Sequence, residues 1–213
     1  CGRVISASTT DGSIRAFWSI GESKISGVSF NTRNGLLAIG SDLFKNDLSR
    51  TSFVSCFQGC YNLASIPAGL FDNCSKATSF ASCFRECSKL TPIPIGLFDN
   101  CPNVTNFSYC FYNFTNLTSI PAGLFDNCPN VTNFSYCFYN CTRVTSIPDG
   151  LFDNCPNVTN FSYCFQYFYR ITSIPEELFD NCLNITNFAY SFNSCVDLIY
   201  VVLPKTILSL GNN

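Results

Sequence analysis

Histidine and methionine are both absent from the 213-residue chain. Without histidine neither a Ser-His-Asp nor a Cys-His arrangement can be built, and the most frequent general base is missing. No glycine-rich phosphate loop and no C-x-x-C pair occur. No enzyme activity and no cofactor are therefore expected. Charge is scarce: Asp, Glu, Lys and Arg supply 12% of residues, about half the usual share, and the net charge is -2. No basic cluster gathers for phosphates, which argues against a nucleic-acid partner. The longest apolar run, Leu198–Leu203, is too short to cross a membrane. Without an initiator Met the chain reads as a processed protein or a fragment. Cys1 followed by Gly2 is what remains of a lipoprotein after signal removal, so Cys1 is a candidate lipid anchor; the alternative is an arbitrary boundary.

What is present is apolar and repetitive. Apolar residues make up 46% of the chain, with 22 Phe, which excludes disorder. The tetrad FDNC begins at Phe71, Phe98, Phe125, Phe152 and Phe179, and a degenerate FKND begins at Phe44, always 27 residues apart. Several columns share that period. One is Leu36, Leu63, Leu90, Leu117, Val144, Ile171 and Leu198; another runs from Ile39 through Ile66 to Ile174 and Val201. Two phenylalanine columns run from Phe53 to Phe188 and from Phe57 to Phe192. A single repeat cannot bury such faces, but stacked copies can, so the expected fold is a repeat solenoid. Each repeat has two similar halves, LTSIPAGLFDNCPN and VTNFSYCFYNCTR in residues 117–143. Each half predicts a short β phrase followed by a helical turn, giving two parallel β-strand ladders per coil, the one at LTSI the firmer. Residues 36–197 thus form six repeats of 27. Residues 1–35 form an N-terminal cap with a degenerate half repeat, and residues 198–213 a C-terminal cap.

The phrases LTSIP, NCTRVTSIP and FDNCPNVTNFSYCFYNCTRVTSI resemble bacterial leucine-rich-repeat surface proteins and lipoproteins of the BspA-like group, over about residues 36–201. Phe and Cys stand here where many such repeats carry Met, and each coil is slightly longer. The resemblance implies a curved leucine-rich-repeat-like solenoid at the cell surface, extracellular, used in adhesion or ligand binding, with no defined ligand.

Fifteen cysteines in such a chain raise the question of disulfides. The column Cys60, Cys87, Phe114, Cys141, Phe168, Cys195 would orphan two partners if C-x-x-x-C bridges formed. Packed free thiols suit a position that accepts Phe, although bridges between stacked coils stay geometrically open. The Asp column (Asp72, Asp99, Asp126, Asp153, Asp180) reads as turn-forming rather than metal-binding. The asparagines Asn103, Asn130, Asn157 and Asn184 read as amide ladders satisfying loop backbone groups; a sugar-binding role is the alternative reading of that row.

The repeats drift in one place, after CF. Gln58, Arg85, Tyr112, Tyr139, Gln166 and Asn193 form one row there; Asn62, Lys89, Asn116, Arg143, Arg170 and Asp197 form another. A tyrosine row, Tyr109, Tyr136, Tyr163 and Tyr190, runs beside them. Tyr and Arg are frequent anchors of recognition surfaces. The expected partner-binding residues are Tyr109, Tyr112, Tyr136, Tyr139, Arg143, Tyr163, Gln166, Arg170, Arg85 and Lys89, facing a protein or glycan. The alternative is a solvent face on a structural or receptor-binding segment of a fibre, stalk or phage tail.

Overall fold

The computed structural model describes residues 29–201, together with the backbone of Arg3–Ser8 and Ile14–Ile20. Cys1 and residues 202–213 of the expected C-terminal cap lie outside the described residues. β1 (Arg3–Ser8) and β2 (Ile14–Ile20) pair antiparallel, and β2 pairs parallel with β3 (Ala38–Ile39), in the order β1-β2-β3. The β1–β2 pair thereby covers the strand edge that the first coil would leave open.

From residue 29 onward the chain winds as a solenoid. Residues 27 apart stack, as the parallel bridges Ser52↔Ser79↔Asn106↔Asn133↔Asn160↔Asn187 record. The Leu36–Ile171 column and the Phe53–Phe161 and Phe57–Phe165 columns are fully buried. Burial weakens at the last coil, where Phe192 and Leu198 are only partly buried and Val201 is exposed. A further column, Phe44 to Phe179, interlocks with the others. Phe125, for example, lies 4.9 Å from Phe107, 4.7 Å from Phe134, 6.2 Å from Phe98 and 6.0 Å from Phe152, ring centre to ring centre. Aromatic pairs at such distances add about 0.5–1.5 kcal/mol beyond the area they bury.

The two halves of a coil are held differently. In the half around Phe134–Cys141, the N–H groups of Phe134, Tyr136, Phe138 and Asn140 all donate to carbonyls of the next coil, at 2.9, 2.9, 3.1 and 2.9 Å. The N–H of Thr159 donates back to the Thr132 carbonyl at 2.9 Å, on the other flank of the Asn133↔Asn160 bridge. Within the coil, Cys137 N–H bonds the Phe134 carbonyl and Cys141 N–H bonds the Phe138 carbonyl. The third residue of each turn, Tyr136 (φ 56) and Asn140 (φ 60), is left-handed. A positive φ at that place is the mark of a type II turn. The other half, Val144–Val158, keeps its backbone bonds inside the coil: Asp153 N–H to Gly150, Cys155 N–H to Phe152, Val158 N–H to Cys155.

This corrects two expectations. Among the described residues no segment is helical; the expected helical turns are successive β-turns. The ladder at LTSI, expected to be the firmer, is absent from the middle coils, and the LTSI backbone meets its neighbour only near the ends (Ala64 N–H to Leu37, Ile199 N–H to Thr172). The ladder at VTNF survives, as single bridges. The physical reason is the Ile-Pro step of most coils, as at Ile120-Pro121. Proline has no N–H to give a ladder and restricts the residue before it.

One side is pinned at strand spacing, about 4.8 Å, and there the tyrosine rings repeat at 4.4–4.9 Å. The buried phenylalanine columns repeat more widely in both halves: Phe71, Phe98, Phe125, Phe152 and Phe179 at 5.9–6.2 Å, and Phe80, Phe107, Phe134 and Phe161 at 5.6–5.7 Å.

The cysteines fill the core of both halves. All fourteen described cysteines are buried free thiols. Equivalent thiols reach the coil before in the same way: Cys141 donates to the Phe111 carbonyl at 3.5 Å and Cys128 to the Phe98 carbonyl at 3.9 Å. Burial pushes Cys56 and Cys128 up to about 12, and Cys60 and Cys195 to about 11. Asp47, in the cysteine column, is buried with Arg50 4.0 Å away, and Arg50 lies over the Phe44 and Phe53 rings.

Candidate functional site

The tyrosine row becomes a ladder of stacked rings. Tyr109–Tyr136, Tyr136–Tyr163 and Tyr163–Tyr190 stand 4.5, 4.4 and 4.9 Å apart, nearly parallel in the first two. Tyr112 and Tyr139 form a second stack at 4.6 Å, leaning on the first at 5.7 and 5.6 Å. Tyr167 meets the edge of Tyr139. Arg85 closes the N-terminal end, with its guanidinium 5.4 Å from the Tyr109 ring and 4.9 Å from the Tyr112 ring. It also pairs with Glu86 at 3.3 Å, and Glu86 accepts a hydrogen bond from the Tyr61 hydroxyl. The tyrosines are half-buried except Tyr190, which is exposed. Partial burial, then the neighbouring phenols, push Tyr136 and Tyr139 up to about 12.

The backbone under this ladder is unusual. Tyr109, Tyr136, Tyr163 and Tyr190 have φ between 56 and 59. A left-handed conformation costs a non-glycine residue roughly 1–2 kcal/mol. The corresponding turn in the other half uses glycine, such as Gly123 at φ 71.

The remaining expected residues divide. Lys89 donates to the Asn62 side chain at 2.8 Å and Arg143 to Asn116 at 3.2 Å, so both lie along the row, each fastened to the coil before. Arg170 is exposed. Gln166 departs from expectation: it is buried, with its amide donating to Asn193 at 2.8 Å, because the next coil supplies a partner that makes burial of the amide tolerable. It presents no surface to a partner.

A second face joins the asparagine row to a threonine row that the sequence did not single out. Threonines 78, 105, 132, 159 and 186 and asparagines 103, 130, 157 and 184 line a groove of about 1000 Å³, with Lys76 in the first place of the asparagine row. The asparagines behave as expected, donating to backbone carbonyls of the coil before, for instance Asn130 to Pro102 at 2.9 Å. Thr105, Thr132 and Thr159 sit in VTN phrases, Thr78 in ATS and Thr186 in ITN, all read simply as strand residues; the signal that could have found them is that the hydroxyl never varies between coils.

Residues 19–190 match the family described as BspA type Leucine rich repeat region, in six copies. The chain belongs to the BspA-type leucine-rich repeat family. Among solved structures, this BspA-type protein is similar to a leucine rich cell surface protein from Faecalibacterium prausnitzii (14% identity, 94% of this chain and 54% of that one, TM-score 0.46). It is also similar to the APL1 leucine-rich repeat domain (15% identity, 84% and 41%, TM-score 0.44). The T. pallidum Leucine Rich Repeat protein matches at 17% identity over 98% and 94%, with TM-score 0.31. These scores are too low to carry a comparison of detail. The chain spans 54% and 41% of the first two. No curated protein matches it.

Proposed function

We propose that this chain is a non-catalytic binding module displayed at a cell surface, which engages a protein or glycan partner through the tyrosine ladder and its flanking Arg85, Lys89 and Arg143. The observation that carries the reading is that tyrosine, stacked at 4.4–4.9 Å, fills a left-handed column that serine fills at Ser55 and Ser82. Each carries a strain of roughly 1–2 kcal/mol. Each stacked pair returns about 0.5–1.5 kcal/mol. Any non-glycine residue bears that strain there, as Ser55 and Ser82 do in the first two coils, so it does not account for the choice of tyrosine. What tyrosine supplies is a rigid surface of phenol edges and hydroxyls, the ring faces being occupied by their neighbours. Strained residues held in an over-determined frame are a feature of ligand sites. Low charge and a neutral polar surface accord with an extracellular setting. The test is a protein and glycan array probed with the intact chain and with a variant carrying Tyr109→Asn, Tyr136→Asn and Tyr163→Asn. Asparagine tolerates the left-handed region, so the coil is kept. The reading requires binding that the variant loses; binding that survives in the variant would move the site to another face.

A further inference from the structure

The groove lined by the Thr78–Thr186 and Asn103–Asn184 rows has no tyrosine in it and is not used by the reading above. Its hydrogen-bonding groups are uncharged and repeat from coil to coil. Each threonine hydroxyl donates to the carbonyl of the threonine one coil earlier, at 3.0–3.2 Å along the row. The backbone N–H of each of these threonines donates to the same carbonyl. Each asparagine amide nitrogen donates to a carbonyl of the coil before, at 2.9–3.0 Å. Each threonine O–H and one N–H of each asparagine amide thus point into the wall. The hydroxyl lone pairs, the amide Oδ1 atoms and the second amide N–H of the exposed asparagines are left to the groove, and Lys76 is the one charged residue among those lining it. Neutral groups that both accept and donate suit a ligand of the same kind. A polycation fits poorly, because neutral oxygens do not replace its hydration and Lys76 repels it. An extended peptide running along the groove advances about 3.3 Å per residue and falls out of step with one rung per coil. Hydroxyl groups fit, and the threonine methyls suit the C–H faces of a sugar ring.

The rungs repeat once per coil, about 4.8 Å for bridged coils, which is close to the length of one pyranose in an extended chain. We infer that this groove binds a linear, uncharged polysaccharide with an extended backbone, one sugar to each coil, its hydroxyls donating to the asparagine and threonine oxygens. Binding then strengthens with chain length, because each added sugar meets another identical rung.

Calorimetric titration with cello-, xylo- and manno-oligosaccharides of two to six sugars tests this, with maltohexaose, which coils, as the control. At least one extended hexaose binds, at least tenfold more tightly than its trimer, and maltohexaose does not. The variant Thr105→Val, Thr132→Val, Thr159→Val keeps the shape and the backbone N–H bonds, and loses at least tenfold in affinity. The Tyr→Asn variant binds the hexaose as the parent does, which separates this site from the tyrosine ladder. Methyl NMR of the unaltered chain reads the site without any mutation, as shifts confined to the groove threonines. Absence of binding by all three extended hexaoses overturns the inference. So does binding without length dependence, or shifts outside the groove.

Discussion

The two halves of each coil begin from similar phrases, LFDNCPN and CFYNCTR, and end in different structures. One half passes four N–H groups to the next coil through two left-handed turns; the other keeps its bonds to itself. The difference lies in a few residues. Ile-Pro-x-Gly in one half removes a donor and supplies a residue that turns left-handed without strain. Ser-Tyr-Cys in the other keeps every N–H and forces tyrosine through the same turn. Identical core packing does not bring identical backbone bonding. The tyrosine ladder and the threonine row draw on the half whose spacing is fixed, where side chains one coil apart can align; the asparagine row lies just before it, at the end of the other half.

What the halves share is their buried thiols, and alkali should remove that from both at once. Burial raises these thiols from an ordinary 9.0 to about 11–12 for Cys56, Cys60 and Cys128. A folded-state pKa above the unfolded one means that the stability is fully present below about pH 8.5 and is lost as pH rises through the folded values. Unfolding followed by far-ultraviolet circular dichroism should set in above about pH 9, and thiol alkylation should accelerate together with it. Rapid alkylation of most thiols at neutral pH would contradict their burial.

Removing a ring sharpens the contrast between the halves. Phe125→Ala and Phe134→Ala should each cost about 3–5 kcal/mol in urea unfolding. Phe125 should cost more, because no backbone bond ties its half to the next coil. Equal losses would mean that the inter-coil bonds add nothing to the ring packing.

Substitution at the turns tests the backbone directly. Gly123→Ala should cost about 1–2 kcal/mol, since it sits at φ 71 with the Asp126 carboxylate 3.0 Å from the new methyl. Ser82→Gly should do the reverse and stabilise by about 1 kcal/mol, because Ser82 occupies φ 55. At the small end, Arg143→Ala should move stability by no more than about 0.5 kcal/mol, its bond to Asn116 being exposed.

The sequence reveals whatever the 27-residue period imposes. The Leu, Ile and Phe columns are legible because each must lie on its own copy, and they are buried as their period requires until the last coil. Backbone bonding is less legible. An apolar–polar alternation such as LTSI marks which side chains point inward and is silent on whether the neighbouring coil lies close enough to bond; the proline after it held the answer. The tyrosine row was visible as a row, whereas its stacking depends on the pinned spacing, and its left-handed φ depends on the turn. Gln166 looked like a surface residue because its partner, Asn193, lies one coil further along.

Residue-resolved amide exchange by NMR tests the division of the coil most directly. The N–H groups of Phe107, Tyr109, Phe111 and Asn113 are bonded to the next coil, whereas Thr118, Ser119, Ala122 and Gly123 have no backbone partner. The account predicts strong protection in the first set and fast exchange in the second, with the same alternation recurring 27 residues on. Uniform protection around the coil, or protection of the LTSIP segment instead, would contradict it.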